Sequence, residues 1–322
     1  MANNSNQQNE ADVLKKRSGI ARRNEKIFYY GLMFLPLVQF CIFYIGVNFQ
    51  SIGLAFSEYK SGEFVLASDF FANFKEIFKE FTTPPPGGSL PPLVVAFRNS
   101  LILWFFNSLC GTAIAVFFSY YVFKRKSTGR FFRFILFLPS ILPAVLMGRV
   151  FWLFTGDVLP KMFGVEAVLT HGTAVQKLAS IIGYSVWVSF GTQVLLYSNA
   201  MEQLSPSVLE AAQLDGVTPM GELLRIIFPN LMPTVSTFMI ASIAGAFMNQ
   251  ANLYTFYGET AMNRGGIHTV GYYLFVLVQE NSQSGVYGKH EFPFASALGL
   301  FCTCIAIPLT VLFRKFSKRF ED

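Results

Sequence analysis

Six apolar runs constrain this chain more than any other feature. They lie at about residues 27–54, 101–123, 134–154, 178–198, 231–256 and 292–313. A helix rises 1.5 Å per residue, so about 20 residues cross a hydrocarbon core of about 30 Å. A helix also satisfies its own backbone hydrogen bonds, which lipid cannot do. The composition agrees. Of 322 residues 52% are hydrophobic and 14% charged, and 37 are Phe, where a soluble domain carries about 25% charged residues. The expected fold class is an all-α polytopic membrane protein with six transmembrane helices.

Charge sets the expected orientation. Basic residues gather at Lys15, Lys16, Arg17, Arg22, Arg23 and Lys26, at Lys124-Arg125-Lys126 with Arg130 and Arg133, and at Arg314, Lys315, Lys318 and Arg319. Each cluster abuts an apolar run, the pattern of a topology signal rather than of a nucleic-acid surface. Six spans with both termini inside put every dense basic cluster in the cytoplasm. The expected divisions are a basic tail at 1–26, a first span with an external loop at 27–98, a core of five spans at 99–313 and a basic tail at 314–322. A polar cytoplasmic loop at 199–230 interrupts the core. No small-residue cleavage site follows the first run, so that run reads as a retained anchor. The halves show no convincing repeat.

The external loops carry two further signals. Phe70, Phe71, Phe74, Ile77, Phe78 and Phe81 recur at helical spacing between Lys75, Glu76, Lys79 and Glu80. That predicts an amphipathic helix, lying on the membrane, capping the bundle or meeting an external partner. The Pro- and Gly-rich stretch 83–92 reads as an extended linker. In the segment 257–291, the apolar piece 270–278 is too short to cross and predicts a re-entrant or interfacial helix.

Several chemistries find no support. No carboxylate falls within the six runs, which argues against ion-coupled carriage. There is no phosphate-binding Gly-rich loop, no metal-ligand spacing and no hydrolase motif. No catalytic residue and no bound cofactor are expected. His171, His268 and His290 fall in the loops, where solvated side chains are expected. Cys41, Cys110, Cys302 and Cys304 fall in apolar runs and read as small buried residues. Inside the runs, Arg149, Trp187, Gln193, Asn249, Gln250 and Tyr254 are candidates for a solute pathway, with Ser185, Ser189, Thr192 and Asn252 nearby. Amides, hydroxyls and aromatic faces suit a neutral polyhydroxylated solute. Bonding between helices explains any one of them equally well, and Arg149 could instead snorkel to the interface.

The loop between the fourth and fifth runs has its own punctuation. Ser205-Pro206 opens a helix of about ten residues, roughly 15 Å, and Gly216 closes it. Thr218-Pro219 opens a second helix, which Pro229 is expected to stop. Ala211 and Ala212 would leave a thin face for a groove on a partner.

The residues Glu210-Ala211-Ala212, Gly216, Ile226 and Pro229 carry a resemblance to the membrane-spanning subunits of binding-protein-dependent ABC importers. That family's signature is Glu-Ala-Ala, three residues, Gly, nine residues, Ile, one residue and Leu-Pro; Phe228 stands here for the Leu. Phe74-Lys75-Glu76-Ile77-Phe78, Phe97-Arg98-Asn99-Ser100-Leu101, Leu214-Asp215-Gly216 and Ala295-Ser296-Ala297 are similar to the carbohydrate-uptake branch. Tyr257-Gly258-Glu259 and Arg264-Gly265-Gly266-Ile267 depart from that branch's Thr-x-Gly-Gly-Pro. The resemblance implies a type I importer permease fold and half of a translocation pathway for a sugar or oligosaccharide. It implies a second, non-identical permease subunit, a cytoplasmic ATPase dimer that binds ATP and Mg, and an external solute-binding protein, in a bacterial plasma membrane. Ser205, Glu210, Ala211, Ala212, Leu214, Asp215, Gly216 and Pro219 would couple to the ATPase. The alternatives are a permease for a peptide or amino acid, and a stand-alone channel or carrier.

Overall fold

The computed structural model describes residues 25–60, 62–85, 90–261, 266–283 and 291–318. The expected tails, residues 86–89 of the linker at 83–92, and His290 therefore lie wholly or partly outside the described residues. Residues up to Leu54 form one compact unit and those from Ala55 a second.

The first unit is the helix α1, Glu25–Ala55, 31 residues long. Most of its apolar side chains before Leu54 are exposed, Phe49 to 77%, as befits a helix solvated by lipid. Its polar residues are satisfied within the helix: Asn48 Nδ2 donates to the Tyr44 carbonyl at 2.6 Å and Ser51 Oγ to that of Val47 at 3.0 Å. Cys41 is exposed here, against the expectation of burial, because no second helix of its unit covers it.

The second unit opens with a hairpin that the sequence reading missed, β1 (Ser57–Lys60) against β2 (Glu63–Leu66). Gly62 takes φ +96° at its turn. The expected amphipathic helix follows as α2, Ala72–Thr82. Its apolar face caps the bundle: Ile77 is fully buried, and Phe78 and Phe81 lie 6.1 and 6.0 Å from the Phe301 ring.

The crossing helices are longer than the apolar runs. Helix α3, Pro92–Lys124, begins nine residues before the run at 101, since Pro92 is well placed in a first turn. The third run is not one straight helix. Helix α4, Lys126–Ile141, and helix α5, Ala144–Phe163, meet at a 95° bend. Pro143 has no N–H and drives Leu142 to ψ 145°, which ends the first helix. Helix α6, Ala174–Glu202, opens on a capping box between Thr173 and Gln176.

Helix α7, Pro206–Leu214, is followed by α8, Pro219–Gly245. Here Pro229 does not stop the chain. The ladder widens into a π-helical turn at Leu223–Ile227 just before it, and the helix continues. The predicted second loop helix and the fifth span are thus one element. It ends at Gly245, eleven residues before the expected boundary. The short helix α9, Leu253–Tyr257, comes next. Helix α10, Val270–Gln283, packs into the bundle at its start, where Val270 and Tyr272 are fully buried, while Val278 is 48% exposed. Helix α11, Glu291–Ser317, completes the fold, with Cys302 buried and Cys304 exposed on opposite faces.

Two glycines set how closely these helices approach. A Cβ at Gly191 of α6 would lie 1.8 Å from the Leu136 carbonyl oxygen of α4, and one at Gly271 of α10 would lie 2.5 Å from that of Met248. Near the start of α3, Asn99 Nδ2 donates to the Gly266 and His268 carbonyls at 2.8 and 3.0 Å, and Ser100 Oγ accepts from Val270 N–H at 3.0 Å. These bonds fasten the approach to α10 onto α3.

Candidate functional site

Two places bring the expected site residues together. The first is the loop 203–222. Pro206 fills the first turn of α7, and Ser205 holds the position before it with extended backbone. The Ser205 hydroxyl does not cap the helix; it pairs with Ser207 Oγ at 2.7 Å. At the other end Gly216 takes φ +69°. Val217 N–H then donates to the Ala212 carbonyl at 3.1 Å and Gly216 N–H to that of Gln213 at 3.2 Å. This pair of bonds is the Schellman closure, and it satisfies carbonyls that the helix end would otherwise leave open. Thr218 Oγ1 accepts from Gly221 N–H at 3.2 Å and Pro219 opens α8, as its sequence predicts.

The expected thin face of the two alanines is split. Ala212 is 5% exposed and packs inward, while Glu210, Ala211 and Asp215 face out. Leu214 stands 89% exposed. The loop therefore presents two carboxylates, a small residue and the large apolar side chain of Leu214 around a closed helix end.

The second place is a cavity of about 280 Å3 among α3, α6 and α8. On α6, Ser185, Ser189 and Gln193 line it; their spacing of four puts them on one helical face. Asn107, Ser108 and Thr112 line it from α3, Ser242 from α8 and Asn249 from beyond its end. The π-helical turn Phe106–Cys110 shifts the register of α3 there. Ser108 Oγ and Trp104 Nε1 both donate to Ser242 Oγ, at 2.9 and 3.1 Å. Asn107 Oδ1 and Gln193 Oε1 are buried without a partner. Unpaired buried amide oxygens are costly, and both residues line the cavity. No charged side chain lines this cavity.

Of the six expected pathway residues, Gln193 and Asn249 line the cavity and four do not. Trp187 is on another face of α6, two residues or about 200° from Ser185, and is 46% exposed. Arg149 is exposed on α5. The early end of α8 removes Asn249, Gln250 and Tyr254 from the fifth span. Asn249 Oδ1 accepts from Ala251 N–H at 2.8 Å in a turn where Ala251 and Asn252 both have positive φ. Gln250 Oε1 is buried and unpaired, and Tyr254 meets Phe275 edge to face at 4.9 Å. The sequence reading missed Asn107, Ser108, Thr112 and Ser242, whose signal was a polar residue inside an apolar run.

Two polar residues are more buried than the sequence suggests. Glu222, which precedes the fifth apolar run, is 4% exposed in the first turns of α8. His268 is not solvated. It is 3% exposed, its Nε2 lies 2.9 Å from the Pro92 carbonyl oxygen, and burial holds its pKa below the usual imidazole value. His171 is exposed as expected.

Residues 108–322 match the family described as binding-protein-dependent transport system inner membrane component. The chain belongs to that family. It is a multi-pass membrane transport component, and both the loop and the cavity fall within the matched region save for Asn107. A probable ABC transporter permease protein of Mycoplasma genitalium is 26% identical over 266 residues, covering 78% of this chain and 76% of that protein. The multiple sugar-binding transport system permease protein MsmF of Streptococcus mutans is 24% identical, covering 62% and 67%. The polygalacturonan/rhamnogalacturonan transport system permease protein YteP of Bacillus subtilis is 21% identical, covering 96% and 92%. Among solved structures, a chain of a bacterial ABC transporter involved in the import of the acidic polysaccharide alginate superposes with a TM-score of 0.70. It is 16% identical, and the match covers 92% of this chain and 98% of that one. The permease fold expected from the loop signature is therefore shared.

Proposed function

We propose that this permease forms half of the translocation pathway for a neutral sugar or oligosaccharide in an ATP-driven importer. The observation that carries the solute class is the uncharged, amide- and hydroxyl-lined cavity with its two unpaired buried acceptors. The names of relatives such as MsmF support the same class. A second permease subunit, a non-identical homologue, supplies the other half. An external binding protein delivers the solute, and an ATPase dimer binds ATP and Mg on the cytoplasmic side of a bacterial plasma membrane. Both termini and the loop 199–230 lie on that side.

The loop couples the ATPase to the pathway. Glu210, Ala211, Leu214 and Asp215 meet the ATPase, Ala212 anchors the helix to the permease, and Gly216 fixes the angle at which it projects. Ser205 and Pro219 set its two hinges. ATP-driven closure of the ATPase dimer then moves a rigid helix, and the permease responds as a two-state body. In the cavity, Asn107, Gln193 and Asn249 offer hydrogen bonds to solute hydroxyls. Arg149, Trp187, Gln250 and Tyr254 belong to the pathway only where it extends beyond this cavity.

The test is uptake by the reconstituted importer with Gln193→Leu and Asn107→Leu. Each loses about 0.5–1.5 kcal/mol of hydrogen bonding, so half-saturation should rise roughly two- to tenfold. Unchanged uptake by the double variant would remove the cavity from the pathway.

A further inference from the structure

The loop and the crossing helices meet at one buried ion pair. Lys124 ends α3, and Glu222 lies six residues after Gly216, in the first turns of α8. Lys124 Nζ is 2.7 Å from Glu222 Oε1, with the Glu222 side chain 5% and the Lys124 side chain 34% exposed; the contact is an ion pair without hydrogen-bond alignment. Tyr120 Oη, one turn back on α3, donates to Glu222 Oε2 at 3.3 Å. Lys124 Nζ also lies 5.8 Å over the Tyr120 ring. The Glu222 N–H is bonded to the Thr218 carbonyl at 2.8 Å, which fixes the residue in the first turn of α8.

A cavity of about 820 Å3 lies beside the ion pair, lined by Tyr121 of α3 and by Val217 and Met220 of the loop. Next to it the helices pack, Leu223 and Ile227 being buried in one cluster with Val116 and Tyr120. The ion pair therefore lies at the edge of the packed bundle, where the loop meets α3. A buried carboxylate is costly to desolvate and rarely improves stability over an apolar pair, so its presence calls for another use.

We propose that Glu222, held by Lys124 and Tyr120, is the positioning joint that transmits movement of the loop 205–220 to α3 and hence to the cavity. This rests on the coupling role assigned to the loop above. A push on α7 turns the start of α8 about Gly216, and the ion pair carries that turn to α3. Helix α3 bears Asn107, Ser108 and Thr112, about three to four turns away, so the same rigid helix reaches the solute site.

The test uses the complete importer, this permease with its partner permease, ATPase and binding protein, in proteoliposomes. Solute uptake and ATP hydrolysis are measured in the same vesicles for Glu222→Gln, for Lys124→Met and for the apolar pair Lys124→Met with Glu222→Leu. The pair keeps the buried volume and removes the charge, so it serves where a single variant fails to assemble. The joint predicts that the ATPase still co-purifies while uptake per ATP hydrolysed falls roughly tenfold, the size of a typical coupling between sites. A merely structural pair would lower the yield of assembled importer and leave uptake per ATP unchanged. Unchanged uptake per ATP in the assembled apolar pair would overturn the proposal. Gly216→Ile is run beside it: full coupling in that variant would sink the loop's own role, whatever the ion pair does.

Discussion

Gly216→Ile perturbs the loop by one mechanism alone. The residue sits at φ +69°, and a Cβ built there meets nothing within 4 Å. A larger side chain therefore finds space; what it cannot easily do is adopt the left-handed backbone. An ordinary residue in that region costs about 1–2 kcal/mol, and strained positions in general cost about 1–3 kcal/mol. A β-branched side chain lies at the upper end. Relief would open the two closing bonds, Gly216 to Gln213 and Val217 to Ala212, and release the end of α7. The series Gly216→Asn, Gly216→Ala and Gly216→Ile should thus lose coupled uptake in that order, with Asn close to the parent because it tolerates the left-handed region. The assay is ATP-driven uptake in proteoliposomes, with assembled ATPase scored on the same samples. Equal uptake across the series would refute the argument, since it would mean that the angle fixed by Gly216 is not used.

Other expected outcomes follow from single contacts. Gly191→Ala should lower the melting temperature of the purified permease in detergent, by an overpacking cost of about 1–3 kcal/mol, because its Cβ falls on the Leu136 carbonyl; Gly183→Ala, in open space on the same helix, should not. Asn99→Ala removes both donors to the Gly266 and His268 carbonyls and should cost about 1–3 kcal/mol per buried group left unpaired, read as faster proteolysis between α9 and α10. Glu80 is pushed above the ordinary carboxylate value of 4.5 chiefly by burial, against the bond it accepts from Tyr273 Oη at 2.7 Å. A raised acid contributes stability below its ordinary value and loses it as pH rises through the raised one. Glu80→Gln should therefore melt above the parent at about pH 7, and the gap should close as the pH falls below 4.5.

How far the fold was legible depends on what each residue competes with. Five of the apolar runs marked helices long and apolar enough to cross a membrane, and the third marked the bent pair α4 and α5, because length and hydropathy leave little alternative in lipid. Their ends were misjudged where proline was read locally. Pro143 broke a span that looked continuous, while Pro229 was absorbed by a π-helical turn that no periodicity reports. The loop was legible in detail because Ser205-Pro206, Gly216 and Thr218-Pro219 act through the backbone. Its outward face was not, since burial of Ala212 depends on which side of a short helix meets the bundle. In the cavity Gln193 and Asn249 were visible as polar residues in apolar surroundings. Trp187 and Tyr254 were chosen for their chemistry, and helical phase and the early end of α8 carried them elsewhere. Glu222 escaped notice because the crossing helix begins at Pro219, twelve residues before the run that announced it.

Solute should cross through this permease only when a docked ATPase drives it. The direct measurement is uptake of labelled neutral oligosaccharides into proteoliposomes, comparing the complete importer with the permease pair alone, each with and without internal-facing ATP. The account predicts saturable uptake by the complete importer with ATP and binding protein present, and none by the pair alone. Solute flux through the permease without an ATPase would contradict it.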